Sequence, residues 1–177
     1  FCWTANHLLS ITPDAWPDAY ITGNVIRSYV ALGARLATWF AGAFPTMCIL
    51  AAWQLVYYKP TNQEEDDAHA LEPRRLALLS LAGLAAALLF AAIYFALIGA
   101  DARVAILGPA GRVWIFLLLL GIGAQGAGWL LQRRRDDFKK LYLAVISAGG
   151  AITLLAAASL RELIRLSQVD LTLVAAH

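Results

Sequence analysis

The chain has 177 residues, of which 60% are hydrophobic and 15% are charged. A soluble domain of this size typically has about a quarter charged residues and about half apolar ones. The net charge of +2 provides no strong field for nucleic acid or acidic substrates. The composition therefore favours a membrane protein that contacts lipid and binds no nucleic acid.

The cysteines and the first residues carry little information about processing. Cys2 and Cys48 have neither the number nor the spacing of a disulfide framework or a Cys/His metal site. The sequence begins at Phe1 and shows no basic segment followed by a short apolar stretch, as a signal peptide would. From this beginning we expect further residues upstream of Phe1.

In chain order, residues 1–35 come first and contain no membrane-length apolar block. Residues 1–12 are moderately apolar and compatible with the end of a preceding helix, which prolines then interrupt. Residues 20–35 are predicted to run along the membrane interface, with Trp16 and Tyr20 as anchors. We therefore assign residues 1–35 to an N-terminal interfacial segment.

Four blocks without Asp, Glu, Lys or Arg follow. A helix needs about 20 apolar residues to cross the hydrocarbon core. Backbone groups there must be hydrogen-bonded within the segment, which favours helices over strands. The sequence predicts an all-α, integral membrane bundle of about four transmembrane helices over residues 36–160, with blocks at 36–58, 76–100, 113–132 and 141–160.

The connections between these blocks are predicted from their polar and turn-forming residues. Residues 59–75 are predicted to be a solvated acidic loop, and residues 100–112 a short connection rich in Gly and Pro. Residues 132–140 are predicted to be a tight charged hairpin. After residue 160, apolar residues keep helical spacing between charges, which predicts an emerging or interfacial extension over residues 161–177.

Basic residues near the block ends predict the orientation of the bundle. One side carries Lys59, Arg74, Arg75, Arg133, Arg134, Arg135, Lys139 and Lys140, and the other carries Arg27, Arg35, Arg103, Arg112, Arg161 and Arg165. Short loops rich in Lys and Arg stay in the cytoplasm. We therefore predict a multi-pass protein of the bacterial inner membrane, with the 59–75 and 133–140 loops cytoplasmic.

Candidate ligands are scarce in the four blocks, which contain no His, Asp or Glu. A haem inside a bundle needs axial ligands such as histidine at membrane depth, and ion-coupled transport normally uses an intramembrane carboxylate. His7 is the only candidate cofactor-binding residue, and an ordinary interfacial histidine is the alternative. We predict no catalytic residue and no metal ligand, and we interpret Met47 as a packing residue.

Small residues are concentrated in the third and fourth blocks. They let membrane helices approach closely, where hydrophobicity alone cannot drive association. These helices are predicted to pack either on each other or on a partner subunit. The predicted packing residues are Gly121, Ala124, Gly126, Gly128, Ser147, Gly150 and Ala151.

Part of the chain resembles subunit I of cytochrome bd-type quinol oxidases. F-C-W-T-A-N-H at residues 1–7 looks like a helix end with an Ala-Asn pair in that subunit, and the stretch from Arg35 to Trp53 resembles its next helix. The loop predicted at 59–75 and the helix predicted at 76–100 then follow in the same order as in that subunit. In that family a haem-ligating histidine stands just before the Arg-Leu-like pair, whereas Ala34 is nearest to that position here. The resemblance therefore implies architecture and an electron-transfer setting, and not oxidase activity.

These observations predict a non-catalytic membrane subunit that anchors or scaffolds a respiratory or photosynthetic electron-transfer complex and borders a quinone site. Its partners would be other membrane subunits, and any quinone or haem would belong to the parent complex, with no cofactor bound by this chain alone. One alternative is a degenerate bd-oxidase-like subunit that retains a haem or quinone site through His7. Another is a small transporter, against which the uniformly apolar blocks argue.

Overall fold

The computed structural model describes residue 21 and residues 26–57 and 63–175, with side chains over residues 30–57 and 72–166. His7 and the Phe1–His7 part of the family resemblance lie outside the described residues. The described part of the chain forms five helices and no strand. They are α1 (Ile26–Tyr57), α2 (Gln63–Leu97), α3 (Ala100–Leu107), α4 (Pro109–Gln132) and α5 (Lys140–Ala175).

Four of these helices are long and apolar enough to cross a membrane. The spans are Val30–Tyr57, Glu72–Leu97, Pro109–Gln132 and Lys140–Leu166. Large apolar side chains such as Phe40, Phe116 and Leu155 point outward, which suits a surface bathed in hydrocarbon. The predicted all-α fold with four transmembrane helices is confirmed.

The prediction of a loop over residues 59–75 is wrong for most of that length, because α2 begins at Gln63 and continues without a break into the apolar block. Charge excludes a segment from hydrocarbon but does not prevent it from being helical outside the bilayer. The acidic sequence at the start of α2 suits a helix N-terminus. Pro73 lies inside the helix and is buried.

The transmembrane helices also extend beyond their apolar blocks at both ends of the chain. α1 begins at Ile26, so the boundary predicted at residue 35 falls within a helix. α5 continues to Ala175, so the extension predicted after residue 160 belongs to the same helix as the fourth span. A helix ends where capping or turn residues end it, and not where its apolar composition changes.

The connection predicted over residues 100–112 contains a helix of its own, α3. Gly108 separates it from α4, and Pro109 occupies the first turn of α4, where a missing N–H has no consequence. The Gly and Pro residues therefore form a break between two helices, and not a continuous turn.

The four spans form two antiparallel pairs, α1 with α2 and α4 with α5, as short connections require. Contacts of α1 with α5 and of α2 with α4 join the pairs, and α3 packs on α4 and α5.

We call the end of the bundle with α3 the α3 end, and the end with residues 133–139 the hairpin end. One buried cluster lies at each end: Leu32, Ile98, Ala102, Ile106 and Ile164 at the α3 end, and Cys48, Ala52, Ala77, Trp129, Leu143 and Ile146 at the hairpin end.

Candidate functional site

Glycines bring the backbones of α4 and α5 into contact. A Cβ built on Gly121 would lie 2.6 Å from Oγ1 of Thr153 and 2.7 Å from the carbonyl oxygen of Gly149. A Cβ built on Gly128 would collide with the side chain of Ile146. Since real Cβ atoms do not approach so closely, these positions require glycine for the observed helix separation.

A hydrogen bond joins the same two helices at the level of these glycines. Nε2 of Gln125 donates to Oγ1 of Thr153 over 2.9 Å, and the Thr153 hydroxyl donates to the carbonyl oxygen of Gly149 over 2.8 Å. Gln125 is buried. Because the polar side chain already has a partner, its position indicates helix packing and not ligand binding.

Two further predicted packing residues serve the contact between α1 and α5. Nε1 of Trp53 donates to the hydroxyl of Ser147 over 2.9 Å. A Cβ built on Gly150 would lie 3.1 Å from Cδ1 of Ile49. Ser147 and Gly150 therefore join the two helix pairs within this chain.

The structure divides the predicted packing residues between the inside and the outside of the bundle. Ala124 faces the α4–α5 contact, with its Cβ 3.1 Å from a Cβ built on Gly149. In contrast, a Cβ built on Gly126 would have no atom within 4 Å, and Ala151 is exposed. Gly121, Ala124, Gly128, Ser147 and Gly150 serve contacts between the described helices, while Gly126 leaves space for a side chain and Ala151 lies on the outside.

Two further small residues of the same helix lie beside Gly126 and were not among the predicted packing residues. Gly123 and Ala127 are both exposed, and a Cβ built on Gly123 would meet nothing within 4 Å. Their spacing is the small-xxx-small spacing that lets a neighbouring helix approach. We call Gly123, Gly126 and Ala127 the outer α4 face.

At the hairpin end, Gln132 closes the turn between α4 and α5. Its side chain is fully buried. Nε2 donates to the carbonyl oxygen of Asp137 over 2.6 Å, and Oε1 accepts from the backbone N–H of Lys139 over 3.2 Å. One glutamine thus satisfies two backbone groups of the turn, just before the start of α5, that would otherwise be left unpaired.

Ion pairs at the hairpin end link the turn to itself and to α2. Arg74 and Asp136 approach to 2.9 Å, and Lys139 and Asp137 to 2.7 Å. The hydrogen bond from Lys139 lowers the pKa of the Asp137 carboxyl from its ordinary value. These pairs are exposed, and pairs of this kind contribute little to stability, so Gln132 is the main fixed feature of the hairpin.

Arg35 is unusual among the described side chains because it is charged and only 5% exposed. Both terminal nitrogens of its guanidinium are buried and have no hydrogen-bond partner among the described residues. The guanidinium carbon lies 5.4 Å from the ring centre of Trp39, and Tyr94 and Arg161 are close enough to interact with it electrostatically. The sequence analysis used Arg35 for the orientation and for the family resemblance, and did not predict it as a site residue.

An apolar groove of about 410 Å³ runs between α1 and α2. Gly83 lies at its base, where a Cβ would be 2.9 Å from the carbonyl oxygen of Ala41. The groove is lined by Ala37, Phe40, Ala41, Phe44, Leu79, Ala82, Gly83, Ala86 and Phe90. With no polar side chain in the lining, it is suited to hydrocarbon chains and not to a polar substrate.

Within residues 30–57 and 72–166, where the structure describes side chains, no group of three or more His, Cys, Asp or Glu side chains is placed to hold a metal ion. Comparison of the chain with protein-family models, with curated proteins and with solved structures finds no match.

Proposed function

We propose that the chain is a non-catalytic membrane subunit that anchors or scaffolds a respiratory or photosynthetic electron-transfer complex beside a quinone site. Its partners are other membrane subunits, and the quinone or haem belongs to the parent complex. We place it in the bacterial inner membrane, with residues 59–75 and 133–140 in the cytoplasm. The observation that carries the scaffolding role is the outer α4 face.

The outer α4 face consists of small residues whose added side chains would not collide with the part of the chain that the structure describes. Gly123 and Gly126 have open space where a side chain would stand. A glycine inside a helix is less favourable than alanine by about 1 kcal/mol, and no close packing among the described residues offsets that cost. A partner helix at this face would offset it, because glycine permits the close approach that gains dispersion contacts.

Large apolar side chains border the outer α4 face. Phe116, Leu119 and Leu130 are all exposed on the same helix. A shallow surface of small residues between large ones is the shape that accepts the ridge of a neighbouring helix. This geometry supports a subunit contact at the outer α4 face.

The electron-transfer setting rests on the resemblance of residues 1–7 and 35–53 to the bd-type quinol oxidase subunit. Ala34, which stands nearest to that family's haem-ligating histidine, is a buried residue of α1. Alanine has no donor atom in its side chain, so this position offers no axial ligand. For this reason we propose a supporting role in such a complex and not oxidase activity.

The test is co-purification of partner subunits with variants of the outer α4 face. Gly123→Leu and Gly126→Leu should reduce partner recovery, because the added side chain would push a neighbouring helix outward. Leucine favours membrane insertion more than glycine does, so the amount of inserted chain should not fall. Ala151→Leu tests the exposed position on α5 in the same way.

Two control variants separate this effect from general damage. Ala96→Leu adds bulk at an exposed position of α2, and Asp67→Asn removes a charge outside the transmembrane spans. Both should leave partner recovery unchanged. If Gly123→Leu and Gly126→Leu also leave it unchanged, the scaffolding proposal is wrong.

A spectrum of the purified chain distinguishes the alternative of a degenerate oxidase-like subunit. A Soret band that disappears in His7→Ala would favour that alternative. A chain without such a band, recovered together with larger subunits, would favour scaffolding.

A further inference from the structure

The buried guanidinium of Arg35 has no counter-charge among the described residues that touch it. Moving a cation out of water costs much free energy unless an anion or several hydrogen-bond acceptors compensate for the lost hydration. The ring of Trp39 attracts the cation, but it accepts none of the guanidinium N–H groups. Both terminal nitrogens therefore still lack acceptors.

The position of Arg35 along α1 favours the depth of lipid headgroups for its side chain. Arg35 directly precedes the uncharged stretch that begins at Leu36 and continues to the end of α1 at Tyr57, and this stretch of about 33 Å is long enough by itself to cross the hydrocarbon core. Side chains of a helix lean toward its N-terminus, which for α1 is the α3 end. A long arginine side chain at this depth reaches the interface while its stem stays in hydrocarbon.

The surrounding charges favour an anion at this place. Arg161 of α5 is the second guanidinium near Arg35, and Tyr94 of α2 brings a phenol group. Arg165 pairs with Glu162 within α5. Of the residues at the α3 end whose side chains the structure describes, the five arginines 35, 103, 112, 161 and 165 outnumber the two carboxylates of Asp101 and Glu162.

We propose that Arg35, together with Arg161 and Tyr94, binds the phosphate of an anionic lipid headgroup at the α3 end of the bundle. A guanidinium donates two parallel hydrogen bonds to phosphate oxygens, and a phenol hydroxyl can donate a third. Trp39 is 47% exposed and lies against the guanidinium on the outer side. We expect its indole ring to move away from the guanidinium when the phosphate binds.

A lipid is favoured over a partner's carboxylate because of the place of the site. The guanidinium lies behind the exposed ring of Trp39, at the expected depth of the lipid headgroups. Lipid phosphates are present at high concentration at this depth wherever the bundle faces the bilayer. The outer α4 face, where we propose a subunit contact, consists of other residues on another helix. The lipid site therefore does not depend on the proposed function, and its test needs no partner subunit.

The test measures thermal unfolding of the full chain, washed in detergent to remove lipid and then titrated with phosphatidylglycerol, phosphatidylcholine or inorganic phosphate. We expect phosphatidylglycerol alone to raise the unfolding temperature of the wild-type chain. Arg35→Met should weaken the apparent affinity for phosphatidylglycerol by about tenfold or more, as expected for the loss of a charge-assisted bidentate pair. Arg161→Gln should weaken it less.

The same variant has an opposite effect without anionic lipid. Replacing an unpaired buried charge by an apolar side chain of similar length is neutral or stabilising. Arg35→Met should therefore unfold at the same or a higher temperature than the wild type in phosphatidylcholine. A purely structural role for Arg35 would instead lower the unfolding temperature in both lipids.

Arg103→Gln is the matched control, because Arg103 is an exposed arginine at the same end of the bundle. It should keep the full response to phosphatidylglycerol. An equal loss of response in Arg103→Gln, or an undiminished response in Arg35→Met, would overturn the proposal. So would equal stabilisation by inorganic phosphate or by phosphatidylcholine.

A second measurement examines what the chain retains on purification. Phosphorus analysis and mass spectrometry of the wild-type chain, purified in mild detergent and before the exhaustive wash that removes lipid, should find phosphatidylglycerol in stoichiometric amount. Complete removal of anionic lipid by mild washing, with no change in the unfolding temperature, would overturn the proposal. Loss of partner subunits, without loss of lipid, in Arg35→Met would point to a partner's carboxylate instead.

Discussion

The backbones of Gly121 and Gly149 lie in direct contact across α4 and α5. A Cβ on either residue would lie 2.7 Å from the carbonyl oxygen of the other. Lipid tails are as apolar as the side chains of the helices, so burial of apolar surface does not hold such helices together. The hairpin depends instead on this close approach and on the hydrogen bond from Gln125 to Thr153.

Gly121→Ala should destabilise the α4–α5 hairpin. The new methyl group would meet backbone atoms of α5, including the N–H of Thr153 at 2.9 Å, and backbone cannot move aside as a flexible side chain can. Overpacking of this kind costs about 1–3 kcal/mol. Reversible unfolding of the detergent-solubilised chain measures the loss.

Gly123→Ala is the matched control for that change, on the same helix and two residues away. It adds the same methyl group where nothing lies within 4 Å. Its stability should be unchanged or raised by up to about 1 kcal/mol, because alanine favours a helix more than glycine does. Equal destabilisation by the two substitutions would contradict the observed packing of α4.

The pair Gln125 and Thr153 should show an asymmetric response to substitution. Gln125→Leu removes the donor, and the Thr153 hydroxyl keeps its bond to Gly149. Thr153→Val leaves the buried amide of Gln125 without its acceptor, which costs more than losing both partners together. We expect Thr153→Val to be the more destabilising of the two single changes.

A double-mutant cycle measures the bond itself. Interhelical hydrogen bonds in membranes contribute about 0.6 kcal/mol on average and up to about 1.7 kcal/mol. The cycle of Gln125→Leu and Thr153→Val should give a favourable coupling energy in that range. Additive effects of the two changes would show that the hydrogen bond contributes nothing to the contact.

The sequence predicts where the helices of this chain lie better than it predicts which side of each helix packs inside the bundle. Length without charge is enough to identify a transmembrane helix, because hydrocarbon excludes charge and requires internal backbone hydrogen bonds. In a soluble helix, polarity marks the outward side, but here both sides are apolar. Gly121 and Gly123 look alike in sequence, yet one is buried and the other exposed. Their side-chain directions differ by about 200° on the helix.

Helix ends were harder to predict because charge ends a hydrocarbon segment without ending a helix. This is why residues 63–75 were expected in a loop and form the start of α2. It is also why Arg35 was interpreted as a residue before a membrane helix. It lies instead about two and a half turns inside α1, buried at the α3 end.

The orientation of the bundle is a prediction that cysteine labelling can check. Arg134→Cys reports on the hairpin end and Asp101→Cys on the α3 end, in a background with Cys2→Ala and Cys48→Ala. Both positions are exposed. Gln132 is unsuitable, because its buried side chain closes the hairpin. We expect a membrane-impermeant maleimide to label Asp101→Cys in intact cells and Arg134→Cys only after the membrane is opened.

The physical reason for this expectation is the concentration of charge in the short hairpin. Arg133, Arg134, Arg135, Lys139 and Lys140 lie within or directly beside residues 133–139, all close to the ends of two spans. Basic residues in short loops control orientation, whereas acidic residues contribute little, so Asp136 and Asp137 should not cancel their effect. Replacing Arg133 and Arg135 by glutamine in the Arg134→Cys variant should therefore produce a mixed population, in which part of Arg134→Cys is labelled from outside. Labelling of Arg134→Cys in intact cells of the otherwise unchanged chain would reverse the proposed orientation and place the Arg35 site at the cytoplasmic leaflet.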